Sequence, residues 1–219
     1  MKNEGLIYRI SGPVVTAINM KAAMYDVVRV GTEGLMGEVI ELHGDKAVIQ
    51  VYEDTSGIRP GEVVVNTGET LSVSLGPGLL TQIYDGIQRP LPTLEKEMGV
   101  FLTRGVDADA FDLEKIWTFE PQVSVGDTVV GGQVVGHVQE TDTIVHKIMV
   151  VPGKGGVVKS IESGDFNVTQ TICTFEDGSD MQMLQEWPVR TPRPYQQKYP
   201  PVIPLVTGMR ILDFLFPLA

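Results

Sequence analysis

Glycine and proline divide this chain into lengths that suit turns and short strands. The 219 residues hold 24 Gly and 14 Pro. Proline removes a backbone donor and glycine favours turns, so frequent breakers work against long regular elements. A hydrophobic share of 42% still provides a packed core, enough for one or two domains. The expected fold class is therefore mainly β.

Residues 3–70 read as a series of short strands. Gly5 to Ile10 precedes a Ser11-Gly12-Pro13 turn, and Val14 to Ile18 follows it. Asp26 to Val30 is another strand. Gly37 to Leu42 and Lys46 to Tyr52 flank His43-Gly44-Asp45, a hairpin signature. Ala47, Ile49 and Val51 alternate with Val48, Gln50 and Tyr52, imperfectly, as in a barrel packed inside and partly covered outside. Val63 to Val65 and Leu71 to Leu75 continue the pattern. Closing such strands into a barrel removes the exposed edges. The pattern alone fits any small β-barrel.

Residues 76–111 read as a connector. Gly76-Pro77-Gly78 ends the strand run, and Asp85-Gly86 is a turn pair because Gly accepts positive φ. Residues 91–99 predict a short helix with Pro92 in the first turn and Gly99 at its end.

The next region, 112–189, has its own vocabulary. PQVSVGDTVVGGQVVGHVQE is followed by IMVVPGKGGVVKSIESGDF. A strand ending in Val125-Gly126-Asp127, a turn, and then Gly131 to Gly136 is similar to the hammerhead of lipoyl and biotinyl carrier domains. Those carriers bear their cofactor on a Lys at the tip of the central hairpin. Here the hairpin falls at Glu140 to Thr143 and holds no Lys, while Lys147 lies in the following strand. A carrier function is the alternative reading, and this register weighs against it.

Pro188, Pro192, Pro194, Pro200, Pro201 and Pro204 favour extended backbone. A ligand for proline-binding modules is the generic alternative to a domain connector. From Thr207, which can cap the start, the period becomes helical. Ile211, Leu212, Leu215 and Phe216 make one apolar face, with Arg210 and Asp213 off it.

Three stretches together carry a family resemblance. Residues 72–91, SVSLGPGLLTQIYDGIQRPL, resemble the segment that follows the N-terminal β-barrel in rotary ATPase subunits. PLVTGMRILDFLFPLA, from Pro204 to Ala219, resembles the phrase that runs into the phosphate-binding loop, and YRISGPVVTAI resembles the opening strands. The chain resembles the catalytic A subunits of archaeal and vacuolar-type (A/V-type) ATPases. The resemblance implies a six-stranded crown barrel over 1–75, a connecting segment over 76–111, an inserted barrel-sandwich domain over 112–189, and a linker with the first helix of a truncated nucleotide-binding domain over 190–219. It implies the B subunit as partner in an alternating hexamer, with central-stalk and peripheral-stalk contacts, the latter through the inserted domain. It also implies a cytoplasmic, membrane-peripheral location, and Mg-ATP or ADP as the whole subunit's ligand, with ATP turnover coupled to proton or sodium transport.

The residues present carry no catalytic or ligand-binding motif of their own. A phosphate loop needs G-x-x-x-x-G-K-[ST]. The single Gly-Lys pair, Gly153-Lys154, has Ile148 five places before it and Gly155 after it. His43, His137 and His146 lack zinc-ligand spacing and read as surface or hairpin residues. There is no G-x-S-x-G elbow. Glu176-Asp177 and Asp107 with Asp109 read as turns. Cys173, alone in a Thr-Ile-Cys-Thr-Phe strand, reads as a buried apolar side chain without a disulfide partner, which suits a reducing compartment. The expected site residues are none: catalytic, cofactor-binding or metal. A net charge of −11 disfavours nucleic acid and anionic membranes. No apolar run reaches the ~20 residues needed to span a bilayer, and MKNEGLIYRISG holds no apolar signal core.

Overall fold

The computed structural model describes residues 3–99, 101, 103–106, 108–195, 198 and 200–218. Asp107, half of one expected turn pair, lies outside them.

Six strands close a barrel: Glu4–Ser11 (β1), Val14–Ile18 (β2), Asp26–Val30 (β3), Leu35–His43 (β4), Lys46–Val51 (β5) and Val63–Thr70 (β6). They pair antiparallel in the order β1-β2-β5-β4-β3-β6, and β6 returns to β1. The period of two sends Ala47, Ile49 and Val51 inward against Val15, Ala17, Val28, Leu35, Val39 and Val64. Burying each Val, Leu or Ile contributes roughly 1.5–3 kcal/mol. Two buried polar residues are satisfied locally. Asn66 Nδ2 donates to Asp26 Oδ2 at 2.7 Å and to the Lys21 carbonyl at 2.9 Å.

Residues Ser72–Leu75 (β7) do not continue the barrel. With β6 already paired to β1, no barrel edge is left open for a seventh strand. β7 instead pairs antiparallel with a strand from far along the chain, Gln185–Pro188, in a separate two-stranded ribbon. Between these two strands the chain makes the helix Leu91–Met98 (α1) and a second β body. Gly99 ends α1 at φ 78°, donating its N–H to the Glu95 carbonyl at 2.8 Å.

The second body is a sandwich of two four-stranded sheets. Trp117–Pro121 (β8), Thr128–Val130 (β9), Val134–Gln139 (β10), Val145–Met149 (β11), Gly155–Ile161 (β12), Gly164–Phe166 (β13), Thr171–Phe175 (β14) and Asp180–Gln182 (β15) supply them, and Gln185–Pro188 is β16. The sheet orders are β11-β10-β8-β13 and β15-β14-β12-β9. Val125-Gly126-Asp127 does not end a strand. It is a turn between β8 and β9, in which the Ser124 N–H donates to Asp127 Oδ2 at 2.8 Å. Asp prefers to close such a turn with its own carboxylate rather than extend a ladder. Phe119, Val135, Val158, Ile172, Cys173 and Phe175 fill the interior. The barrel and sandwich cores form two separate clusters.

The last described element is Arg210–Leu215 (α2). Thr207 is not its cap. The first cap position is Met209, and Thr207 precedes it, donating its hydroxyl to Asp213 Oδ1 at 2.7 Å. Ile211, Leu212, Leu215 and Phe216 are all exposed, as is Phe214 at 85%.

A close approach makes one glycine critical. A Cβ on Gly136 would lie 2.4 Å from the buried Phe119 ring and 2.6 Å from the Glu120 carbonyl. Gly136→Ala should therefore destabilise the sandwich by roughly 1–3 kcal/mol through overpacking. Chemical denaturation followed by Trp117 fluorescence reads this directly. A second expectation concerns α2. Sedimentation should show concentration-dependent association of the chain, relieved in a Phe214→Ser, Phe216→Ser double variant, because exposed aromatic surface favours burial.

Candidate functional site

Two bodies with separate cores need a joint, and here the joint is built largely from charged side chains. Four residues of the 72–91 motif take part in it: Ser74, Asp85, Gln88 and Arg89. Asp85 closes a loop on itself: its Oδ1 accepts from the Ile87 N–H at 3.0 Å and the Arg89 N–H at 2.8 Å. The left-handed residue of this loop is Gln88, at φ 63°, and not Gly86. Asp85 supplies the acceptors that fix the loop, so the turn does not draw on the freedom of Gly86.

Gln88's unusual backbone places its side chain usefully. Its Oε1 accepts from the Ser74 N–H and its Nε2 donates to the Ser74 carbonyl, both at 2.7 Å. The amide thus occupies the edge of β7 as a neighbouring strand would. A two-stranded ribbon alone is marginal in water, and this bridge stiffens it.

Arg89 is the centre of the joint. Its Nε donates to Asp85 Oδ2 at 2.7 Å, and one terminal nitrogen donates to Glu53 Oε1 at 2.9 Å and to the Val106 carbonyl at 2.8 Å. The three side chains are 12%, 17% and 10% exposed for Arg89, Asp85 and Glu53. Glu53 follows the barrel strand β5 and also accepts from the Gly105 N–H at 3.2 Å. Burial works against the charge of Asp85, but the Arg89 N–H, the guanidinium and the Ile87 N–H outweigh it and hold its pKa below the usual carboxylate range.

Two further pairs reinforce the joint. Arg104 pairs with Glu33 at 2.6 Å and also donates to the Asp54 carbonyl. Arg190, just past β16, donates to Glu38 Oε1 at 3.0 Å and lies 4.2 Å from the Tyr25 ring centroid. Glu38 is nearly fully buried in the barrel strand β4 and also accepts from the Tyr52 hydroxyl at 3.2 Å. Burial and the Glu38 charge push the Tyr52 phenol up.

The sandwich hairpin falls between β10 and β11, at the position expected. It carries no Lys. Lys147 sits within β11, opposite His137 of β10. Pairing within the sheet gives Lys147 no exposed turn on which a carrier enzyme could act. The three histidines each meet a carboxylate: His43 with Glu41 at 2.9 Å, His137 with Glu120 at 3.3 Å, and His146 with Glu140 at 2.8 Å. His146 is a hairpin residue, 25% exposed in β11, and its partner Glu140 has a side chain only 2% exposed. Asp177 is the turn residue expected, accepting from the Ser179 N–H at 2.8 Å. Cys173 is buried in β14, and that burial pushes its thiol up. Among the described residues no three His, Cys, Asp or Glu side chains gather to hold a metal ion. No described helix is long and apolar enough to cross a membrane.

A six-stranded closed barrel joined to a hammerhead sandwich matches known domains in the same order. Residues 7–68 match the family model of the ATP synthase alpha/beta family, beta-barrel domain. Residues 108–190 match that of the ATPsynthase alpha/beta subunit barrel-sandwich domain. The chain belongs to the ATP synthase alpha/beta family. It is 60% identical over 219 residues to the A subunit of the A-type ATP synthase of Methanosarcina barkeri, covering 100% of this chain and 38% of that protein. It is 61% identical over 216 residues to the corresponding A subunit of Methanocorpusculum labreanum, covering 98% of this chain and 37% of the relative. The A-type ATP synthase A subunit of Natronomonas pharaonis is 58% identical over 218 residues, covering 99% and 37%. The chain thus spans less than two fifths of the length of these relatives.

The sequence does not reveal the joint, although several of its residues lie in the 72–91 motif. The signal is there in part. An Asp four places before an Arg, with Gln between, is a pattern for a side-chain-closed loop. The barrel partners Glu38 and Glu53 give no sign, because a carboxylate in or beside a strand reads as a solvent-facing residue.

Arg89→Ala should cost about 3–5 kcal/mol, the penalty for leaving a buried pair without its cation. Arg89→Lys should recover part of it, since one ammonium cannot reproduce the planar fork. Thermal melts of the three chains compare them. Acid should also weaken the joint. Asp85 and Glu140 have depressed folded pKa values, so their contribution is full above the unfolded values of about 3.9 and 4.3. It is lost as pH falls through the lower folded values. Melting temperature should drop below about pH 4, and an Asp85→Asn, Glu140→Gln chain should show a shallower drop.

Proposed function

We propose that this chain is the assembly part of a rotary ATPase A subunit. The barrel takes its place in a ring that alternates A and B subunits. The inserted sandwich projects from the barrel and meets the peripheral stalk, while central-stalk contacts belong to the whole assembly. The whole subunit turns over Mg-ATP or ADP, coupled to proton or sodium movement, at the membrane's cytoplasmic side without inserting into it. The observation that carries this reading is the pairing of a closed barrel with an inserted sandwich, at about 60% identity along its full length to A-type A subunits.

The shape of the chain supports the division of labour. The barrel's closure leaves no open strand edge, so neighbours meet it through side chains. Leu6, Tyr8, Val63 and Val65 stand exposed on the adjoining strands β1 and β6 and offer one such surface. The sandwich is reached through both strands of the β7–β16 ribbon, which suits an outward-facing module.

Immobilised chain should capture purified peripheral-stalk proteins. Calorimetric titration of the chain with Mg-ATP should show no specific heat. A micromolar nucleotide site, or failure to retain the stalk proteins, overturns the proposal.

A further inference from the structure

The hairpin tip of the sandwich is where a carrier domain would display its cofactor. Here it is pinned by hydrogen bonds. Glu140 leaves β10 at the start of the tip, and its side chain is 2% exposed. One carboxylate oxygen accepts from the backbone N–H groups of Gly78 at 2.7 Å and Leu80 at 3.1 Å. The other meets His146 Nδ1 at 2.8 Å. Gly78 and Leu80 belong to the connecting segment after β7, outside the sandwich sheets. A single carboxylate therefore ties three pieces of chain together: the tip, β11 and the connector.

The connector is fixed to the barrel at its far side. Arg89 grips Glu53, and Arg104 grips Glu33. The sandwich thus has two attachments to the barrel. One is the β7–β16 ribbon with Arg190 on Glu38. The other runs through the connector, which meets the sandwich at Glu140 and through Leu79 and Phe111 in its core, and then through Arg89 and Arg104. A ribbon alone permits a swing, and two attachments set apart along a body do not. Motion between domains is the default where the contact between them is small and polar.

We infer that Glu140 is a latch that sets the position of the sandwich relative to the barrel, and that its carboxylate holds the latch shut. The assignment is independent of what the sandwich contacts. Charge makes the bonds strong, because hydrogen bonds to an ionised acceptor exceed neutral ones. Burial raises the Glu140 pKa, while His146 and the Leu80 and Gly78 amides lower it further than burial raises it. Tyr84 also feels this charge: burial and Glu140 together push its phenol up, while its hydroxyl donates to the Ala110 carbonyl at 2.9 Å. Packing of Leu79 against the sandwich core, and of Gly78 beside Trp117, seats the connector close enough for the latch to form.

The test is a distance measured across the joint in the full chain. Spin labels at Asp45→Cys, on the barrel hairpin, and Lys159→Cys, on the exposed face of β12, report the position of the two bodies. Buried Cys173 stays unlabelled while the core is folded. The chain with Glu140 should give one narrow distance distribution. Glu140→Ala should shift or broaden it, with the near-ultraviolet signal of buried Trp117 unchanged. The Gly78 and Leu80 amides should exchange with solvent about tenfold faster in that variant, as expected on losing hydrogen bonds to a charged acceptor. A distribution in folded Glu140→Ala that matches the parent overturns the inference. If Glu140→Ala fails to fold, Glu140→Gln decides. It keeps the shape and one acceptor, so a broadened distribution supports a latch held by charge, and an unchanged one overturns it.

Discussion

Arg89 stands between a carboxylate of its own loop and a carboxylate of the barrel, and the relation between the two β bodies depends on that position. Each core is apolar and the two share no residue, so hydrophobic burial stabilises the barrel and the sandwich without directly relating one to the other. Relating them falls to charge. The cation is shielded from water, and two anions and a carbonyl surround it. Removing one member leaves the others uncompensated, which is why a buried pair is costly to break even where it adds little net stability.

The same logic recurs at Arg190 and at Glu140. In each case a nearly buried carboxylate receives donors from a segment distant in sequence: Glu38 from Arg190, and Glu140 from Gly78 and Leu80. The barrel contributes the anions Glu33, Glu38 and Glu53, and the later chain contributes the arginines. Polar bonds of this kind are directional. They fix an angle between bodies where an apolar patch would allow sliding. A module that must present a surface at a set angle in a larger assembly benefits from such a joint.

The sandwich carries glycine and hairpin patterns similar to those of carrier domains, with a different tip. The glycine that lets Phe119 lie against β10 and the strand order within the sheets serve packing alone. The hairpin is where the difference from a carrier lies. A tip free in solvent with a Lys suits cofactor transfer. A tip that begins with Glu140 and is pinned by two backbone amides suits anchoring. Fold similarity alone does not separate these, and the side chain at one position does.

The strand spans and the interior faces are legible in the sequence, because alternation and turn residues are local. Val14 to Ile18 and Asp26 to Val30 read at their true bounds, and α1 closely, with Pro92 and Gly99 as its punctuation. Cys173 reads as buried from its strand pattern. The features that mislead share a cause. β7 reads as a barrel strand because its alternation is a strand's, yet closure by β6 and β1 leaves it no place there. Thr207 reads as a cap because it is a capping residue type, yet the cap position falls two residues later, at Met209: the Thr207 hydroxyl accepts from the Met209 N–H and donates to Asp213. Gly86 suits the left-handed turn position that Gln88 occupies. In each case a local preference meets a partner supplied by other parts of the chain. The sequence by itself determined which residues extend, turn and hide from water, since those follow from the backbone and the side chain's own chemistry. Only the tertiary structure decided that Arg89 meets Glu53, that Arg190 meets Glu38 and that Glu140 meets Gly78, because a polar contact across 36, 152 or 62 residues leaves no periodic trace in the chain.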